Sequence, residues 1–148
     1  MNTQQIKKCF LFLADSGFRS LSIVLAVALI AILLSACAGD YARKRAEYYY
    51  LQGQSLANQG QTERAIKKFE KSMDLSEKTG FVAGIAHNLN ELAIIHTTAG
   101  EFDAARSELS RALDIYRSLD MKPEVSKTLN NISQTYAREG RFEDAILH

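Results

Sequence analysis

Large apolar residues recur at three- and four-residue spacing through the second half of the chain, at Leu89, Leu92, Ala93 and His96, then at Ala105, Leu109, Ala112, Leu113 and Tyr116, then at Leu129, Ile132 and Tyr136. That period lays one stripe along an α-helix. Between the stripes stands Gly100-Glu101-Phe102-Asp103-Ala104-Ala105, which returns as Gly140-Arg141-Phe142-Glu143-Asp144-Ala145 and, more faintly, as Gly60-Gln61-Thr62-Glu63-Arg64-Ala65. Each copy offers a glycine able to take positive φ and close a helix, an acidic residue near the next helix start, and an alanine small enough for close packing. The pattern predicts helix, tight turn, helix.

A shift of 40 residues aligns Leu89 with Leu129, Asn90 with Asn130, Leu92 with Ile132, His96 with Tyr136 and Phe102 with Phe142. One unit earlier it pairs Tyr49 with Leu89, Gly53 with Ala93, Ala65 with Ala105, Phe69 with Leu109 and Leu75 with Ile115. The chain therefore reads as three copies of one hairpin, and an internal repeat of this length decides the fold.

These residues resemble the tetratricopeptide repeat family. Leu89, Leu92, Ala93, Gly100, Phe102, Ala105, Leu109 and Ala112 fill its pattern in the second repeat, with His96 where tyrosine is usual. Leu129, Ile132, Tyr136, Gly140, Phe142 and Ala145 do so in the third, and Tyr49, Gly53, Gly60, Ala65 and Phe69 in the first. The period of 40 exceeds the usual length of about 34, which points to the long-repeat branch. The first repeat departs at Thr62 and Ser72. The resemblance implies an all-α fold, a right-handed α-α superhelix of hairpins over 42–148, with repeats at 42–80, 81–120 and 121–148, the last incomplete. Within it Tyr49 takes the core place against Phe69, and Tyr50 points to the groove.

Upstream, Lys7, Lys8 and Arg19 precede Leu21–Leu34, an uncharged run followed by Ser35-Ala36-Cys37. A positive region, an apolar region and small residues form a secretory signal. Leu34-Ser35-Ala36-Cys37 resembles the lipobox of bacterial lipoproteins, which implies a signal peptide over 1–36, a lipid on Cys37 and a short tether over 37–41. The alternative is an uncleaved anchor, since Ser20–Gly39 is about as long as a spanning helix requires. Both readings put the repeats outside the cytoplasmic membrane. Ala38 after the cysteine suggests, by resemblance to a bacterial sorting rule, the periplasmic face of the outer membrane; the anchor reading gives an inner membrane with periplasmic repeats. Arg43, Lys44 and Arg45 would then lie within reach of anionic head groups.

The formal net charge is +1, and from Cys37 onward 15 basic residues face 16 acidic ones. Nothing favours nucleic acid, which calls for a basic face. Cys9 and Cys37 are the two cysteines, so the repeats hold neither a disulfide nor a thiolate metal site. His87, Glu91 and His96 do not make His-Glu-x-x-His, and no third ligand is evident; His96 reads as a core or half-buried histidine. No catalytic motif, metal site, cofactor or small-molecule substrate is expected, and the chain reads as a non-enzyme.

What remains is a surface. The first helices of stacked hairpins line a concave groove. The family's groove positions fall on Glu47, Tyr50, Gln54 and Asn58, on His87, Asn90, Ile94 and Thr98, and on Lys127, Asn130, Gln134 and Arg138. Most are polar and uncharged, with Tyr50 and Ile94 as anchors, a set suited to the backbone of an extended peptide. Tyr50 and Glu91 occupy places where cochaperone members carry a carboxylate clamp, so that activity is not expected. The leading reading is a lipid-anchored adaptor binding a protein or peptide partner at the bacterial cell envelope. The alternative is a sensor or regulatory module of a longer enzyme or signalling protein, since His148 arrives early in the last helix and a fragment is expected.

Overall fold

A computed structural model describes the backbone of residues 3–147 and the side chains of 24–30 and 38–147. The chain divides into two compact units, Met1–Asp40 and Tyr41–His148. The first is helical from Thr3, as part of α1 (Thr3–Asn58). The side chains of the lipobox, Cys37 included, and of most of Leu21–Leu34 lie outside the described residues. Among the described residues no helix is long and apolar enough to cross a membrane.

The second unit is all-α, a solenoid of consecutive helical hairpins. The end of α1 is followed by α2 (Thr62–Thr79), α3 (Val82–Ala99), α4 (Phe102–Ser118), α5 (Lys122–Glu139) and α6 (Phe142–Ile146). From α2 onward each helix packs on the next, and α3 also touches α5.

One turn is used five times. Gly60, Gly80, Gly100 and Gly140 adopt φ of +72°, +65°, +83° and +85°, and Asp120 adopts +52°. The residue after each returns its amide to a carbonyl five positions back: Gln61 to Leu56, Phe81 to Ser76, Glu101 to His96, Met121 to Tyr116 and Arg141 to Tyr136, at 2.8–2.9 Å. This is the bond that closes a helix through a left-handed residue and satisfies its last carbonyls. Glycines 60, 100 and 140 were legible as turns. Gly80 and Asp120, which join one hairpin to the next, form the same device and passed unrecognised in the sequence pattern.

Asp120 is the one non-glycine among the described residues at positive φ. Its carboxylate is exposed and 3.8 Å from Lys122 Nζ, an arrangement of little worth. Asp120→Gly should therefore raise the stability of the array by about 0.5–1 kcal/mol, read as a higher urea midpoint with unchanged slope; a lower midpoint would assign the aspartate side chain a role in the turn.

Three apolar clusters fill the unit. Ala65, Phe69 and Leu92 are joined by Tyr50, Leu56 and Met73; Ala86, Leu89, Ala112 and Tyr116 by Ile85 and Val125; Ala93, Ala105, Leu109, Leu113 and Ile132 by Leu129 and Tyr136. The alanines of the turn motif, Ala65 and Ala105, are fully buried, as close helix approach requires. Tyr49 is not in the core: it is half-buried at the outer face, and Tyr50 packs its ring 5.9 Å from that of Phe69. The reason is Gly53, whose missing side chain gives the Phe69 ring its place; a Cβ there would sit 2.6 Å from Phe69 Cε1.

Short polar side chains also lie deep between helices. Ser72 Oγ donates to the Ala46 carbonyl at 2.8 Å, and Asn88 Nδ2 donates to Ser72 Oγ at 2.9 Å and to the Gly84 carbonyl at 2.7 Å. These bonds tie α1, α2 and α3 together. Thr97 and Thr135 hydroxyls meet at 2.9 Å between α3 and α5. On α6, Phe142 and Ile146 are exposed, as is Leu147 just after it.

Candidate functional site

The first helices of the hairpins, α1, α3 and α5, carry a row of depressions. One of about 240 Å³ is bordered by Arg43, Glu47, Tyr50, Leu51, Phe81 and His87 among others. A second, also about 240 Å³, runs between Tyr50, His87, Asn90, Tyr116, Glu124, Lys127 and Thr128. Farther along, Asn58, Glu91, Ile94, Ile95 and Thr98 border a third of about 450 Å³, and Ile94, Thr98, Asn131, Gln134 and Arg138 a small fourth. Tyr50 and His87 join the first two of these, and Ile94 and Thr98 the last two, so the depressions adjoin in two pairs.

Of the twelve groove positions named from sequence, ten line these hollows: Glu47, Tyr50, Asn58, His87, Asn90, Ile94, Thr98, Lys127, Gln134 and Arg138. Gln54 is joined to them by hydrogen bonds, its Nε2 donating to Tyr50 Oη at 2.8 Å and to Glu91 Oε1 at 2.9 Å. Asn130 is exposed and lines none of the four; its neighbour Asn131 does, donating to Asn90 Oδ1 at 3.0 Å. Asn90 is itself buried, so it supports the floor more than it meets solvent.

Sequence reading undervalued Glu91 and Tyr116. Tyr50 Oη donates to Glu91 Oε1 at 3.0 Å, linking α1 to α3. With Gln54, this makes a closed polar triangle that fixes the Tyr50 ring. Burial, then the Glu91 carboxylate, push the Tyr50 hydroxyl well above the usual phenol range, so it stays a donor. Tyr116, from α4, places its hydroxyl 2.9 Å from His87 Nδ1. The rings of Tyr50, His87 and Tyr116 follow one another with centroids 5.9 and 5.5 Å apart. The signal was available: Glu91 is four residues after His87 on the groove side of α3, and a tyrosine is long enough to cross from the helix behind.

His96 sits between α3 and α4, its Nδ1 2.8 Å from Glu108 Oε2 and its Nε2 3.7 Å from Glu101. Burial raises the Glu108 carboxyl and the histidine contact partly opposes this. Among the described residues no group of three or more histidine, cysteine or acidic side chains is arranged to hold a metal ion. The chemistry on offer is hydrogen bonding and apolar contact: amide, phenol and imidazole groups around Tyr50 and Ile94.

His87 should make the stability of the fold depend on pH. Burial lowers its pKa, opposed by Glu124 and Glu91, so the folded chain favours the neutral ring more than the unfolded chain does. Its contribution is complete above the ordinary histidine value of about 6.5 and is lost as pH falls through the lowered one. Wild type should therefore lose more thermal stability than His87→Gln between neutral and mildly acidic pH; equal losses would show that the ring titrates freely.

Comparison with known proteins agrees with this architecture. The profile of the family described as "Tetratricopeptide repeat" matches residues 44–118 and again 81–148. The chain is similar to the "Photosystem I assembly protein Ycf3" of Prochlorococcus marinus strain MIT 9211, 30% identical over 99 residues, which are 66% of this chain and 51% of that protein. It is 28% identical to the protein of that name from Rippkaea orientalis over 122 residues, 77% of this chain and 65% of that one. The protein of the same name from Cyanophora paradoxa is 29% identical over 98 residues, 66% of this chain and 51% of that protein. The chain spans about half the length of most of these curated relatives. They correct the expected location, the outer membrane of a bacterial envelope or its inner-membrane alternative, because their names attach them to photosystem I assembly. That expectation leaned on residue types beside Cys37, outside the repeats on which the fold rests.

Proposed function

Since the chain belongs to the tetratricopeptide repeat family, we propose that it is a non-enzymatic adaptor that holds a segment of a protein partner along the groove of α1, α3 and α5. The observation that carries this is the row of hollows between Glu47 and Arg138, two pairs linked by the Tyr50–Glu91 and Asn131–Asn90 hydrogen bonds, in which the ring of Tyr50 and the exposed side chain of Ile94 are flanked by amides and hydroxyls. Amides satisfy the backbone of an extended or helical segment, and the two apolar groups supply anchors. The names of the relatives support an assembly role. The partner would then be a subunit of a multisubunit complex, held while its own interfaces are uncovered.

Other parts of the proposal rest on sequence. The spacing of Gly60, Gly100 and Gly140 supports a place among the longer repeats, divided at 42–80, 81–120 and 121–148. Leu21–Leu34 followed by Ser35-Ala36-Cys37 supports a signal segment over 1–36 and a lipid on Cys37, with 37–41 as tether. Either a lipid or the apolar run itself would confine the adaptor to a membrane and raise its effective concentration there.

The test is affinity capture of the full chain from detergent-solubilised membranes, beside a variant carrying Tyr50→Ala, Ile94→Arg and Gln134→Ala with helicity checked by circular dichroism. A defined partner lost in the variant supports the groove. The same partners at the same yield in both would remove it.

A further inference from the structure

The near-neutral charge conceals a separation along the array. Tyr41–Thr79 carries eight basic and five acidic residues, whereas residues 80–148 carry seven and ten. On α2, Arg64, Lys67, Lys68 and Lys71 follow at positions that share one helix face, and with Glu70 and Asp74 they border an open hollow of about 500 Å³. Asp74 is taken by Lys78 at 2.7 Å.

From α1, Tyr49 meets this stripe. Lys68 Nζ lies 5.2 Å, Lys71 Nζ 5.7 Å and Arg45 Cζ 5.9 Å from its ring centroid. Tyr48 stands 5.7 Å from Tyr49, and Tyr41 5.9 Å from the Arg45 guanidinium. Tyr41 and Tyr48 are 65% and 56% exposed. Among the described residues none of Arg45, Arg64, Lys67, Lys68 and Lys71 is ion-paired with a carboxylate. Five cations gathered on one face repel each other, a cost that a polyanion facing them would reverse.

Two further observations choose a bilayer as that polyanion. Tyrosines and long-stemmed lysines suit the boundary between head groups and acyl chains, where an amphipathic ring and a charged tip are both satisfied. The face also begins a few positions after the uncharged run Leu21–Leu34, of which Val24, Leu25, Val27, Leu29 and Ile30 are more than half exposed. Basic residues next to an apolar segment are drawn to anionic lipid. We propose that the outer face of the first hairpin, built by Arg45, Tyr48 and Tyr49 with Arg64, Lys67, Lys68 and Lys71, binds the anionic head groups of a membrane. It uses no residue of the groove, which stays open to its partner.

The test uses the full chain in vesicles of phosphatidylcholine alone or mixed with a large share of phosphatidylglycerol, with brief acetylation and mass spectrometry of each lysine. On the anionic vesicles Lys67, Lys68 and Lys71 should react severalfold more slowly than on neutral ones, with recovery in molar salt, while Lys122 and Lys127 react alike on both. Replacing Lys67, Lys68 and Lys71 by glutamine, a good helix former, should lower the partition onto anionic vesicles by about fivefold per charge removed and leave partition onto neutral vesicles unchanged. Equal reactivity of the three lysines on both vesicle types would overturn the proposal. So would stronger protection of these lysines, without vesicles, by polyglutamate or a single-stranded oligonucleotide than by the anionic vesicles at equal anion concentration and salt, which would assign the face to an acidic protein or to nucleic acid.

Discussion

Phe69→Ala should cost the first hairpin about 3–5 kcal/mol, enough to unfold it before the rest of the array. Phe69 is fully buried, packs with Ala65 and Leu92, and has its ring tilted 55° to that of Tyr50. Its ring fills the space left by Gly53, where any Cβ would come within 2.6 Å of a ring carbon. Truncation therefore opens a cavity that the facing glycine cannot close. In a solenoid each unit contacts only its neighbours, so a local loss need not spread. We expect hydrogen exchange to accelerate in α2 and in residues 41–58 while α4 and α5 keep their protection. Gly53→Ala should cost about 1–3 kcal/mol by overpacking and cost less when Phe69 is already leucine, since the shorter side chain leaves room. Additive losses from the two substitutions would show that they do not share this contact.

Leu109→Ala should behave differently, lowering the whole transition by about 2–5 kcal/mol. Leu109 is fully buried in the cluster of Ala93, Ala105, Leu113 and Ile132, and so touches α3, α4 and α5 together. It is the repeat-equivalent of Phe69, forty positions on. Its removal loosens α3, α4 and α5 together, because all three line that one cluster. Exchange should accelerate across α3–α5 at once, and a single cooperative melt at lower temperature is expected. Loss confined to α4 would contradict the shared cluster.

This pair of positions shows how much was legible. Ala65 with Ala105 and Phe69 with Leu109 were read from the forty-residue shift alone, and all four are fully buried. Apolar periodicity and left-handed glycines are local signals, so a single sequence carries them. The error at Tyr49 and Tyr50 arose because three successive tyrosines offer no periodicity; which one faces inward is decided by Gly53 and Phe69 on the facing helix. Buried Ser72, Asn88, Thr128 and Thr135 were also unforeseen, since a short polar side chain looks alike in sequence whether it meets water or a neighbouring helix. Asp120 went unrecognised because aspartate takes positive φ less readily than glycine. In the groove, ten positions reached the hollows because helix register fixes their direction, but the links through Glu91 and Tyr116 join different helices and needed coordinates.

Whether a partner binds in the groove of α1, α3 and α5 decides the function. The most direct measurement places a photoreactive phenylalanine analogue at Ile94, in the groove, or at Arg111, exposed on α4, in the full chain, with irradiation in its native cells. A specific protein adduct from position 94, absent from position 111 and lost when Tyr50→Ala and Gln134→Ala are added, is the predicted result. Adducts from position 111 alone, or adducts from 94 that survive those substitutions, would contradict it.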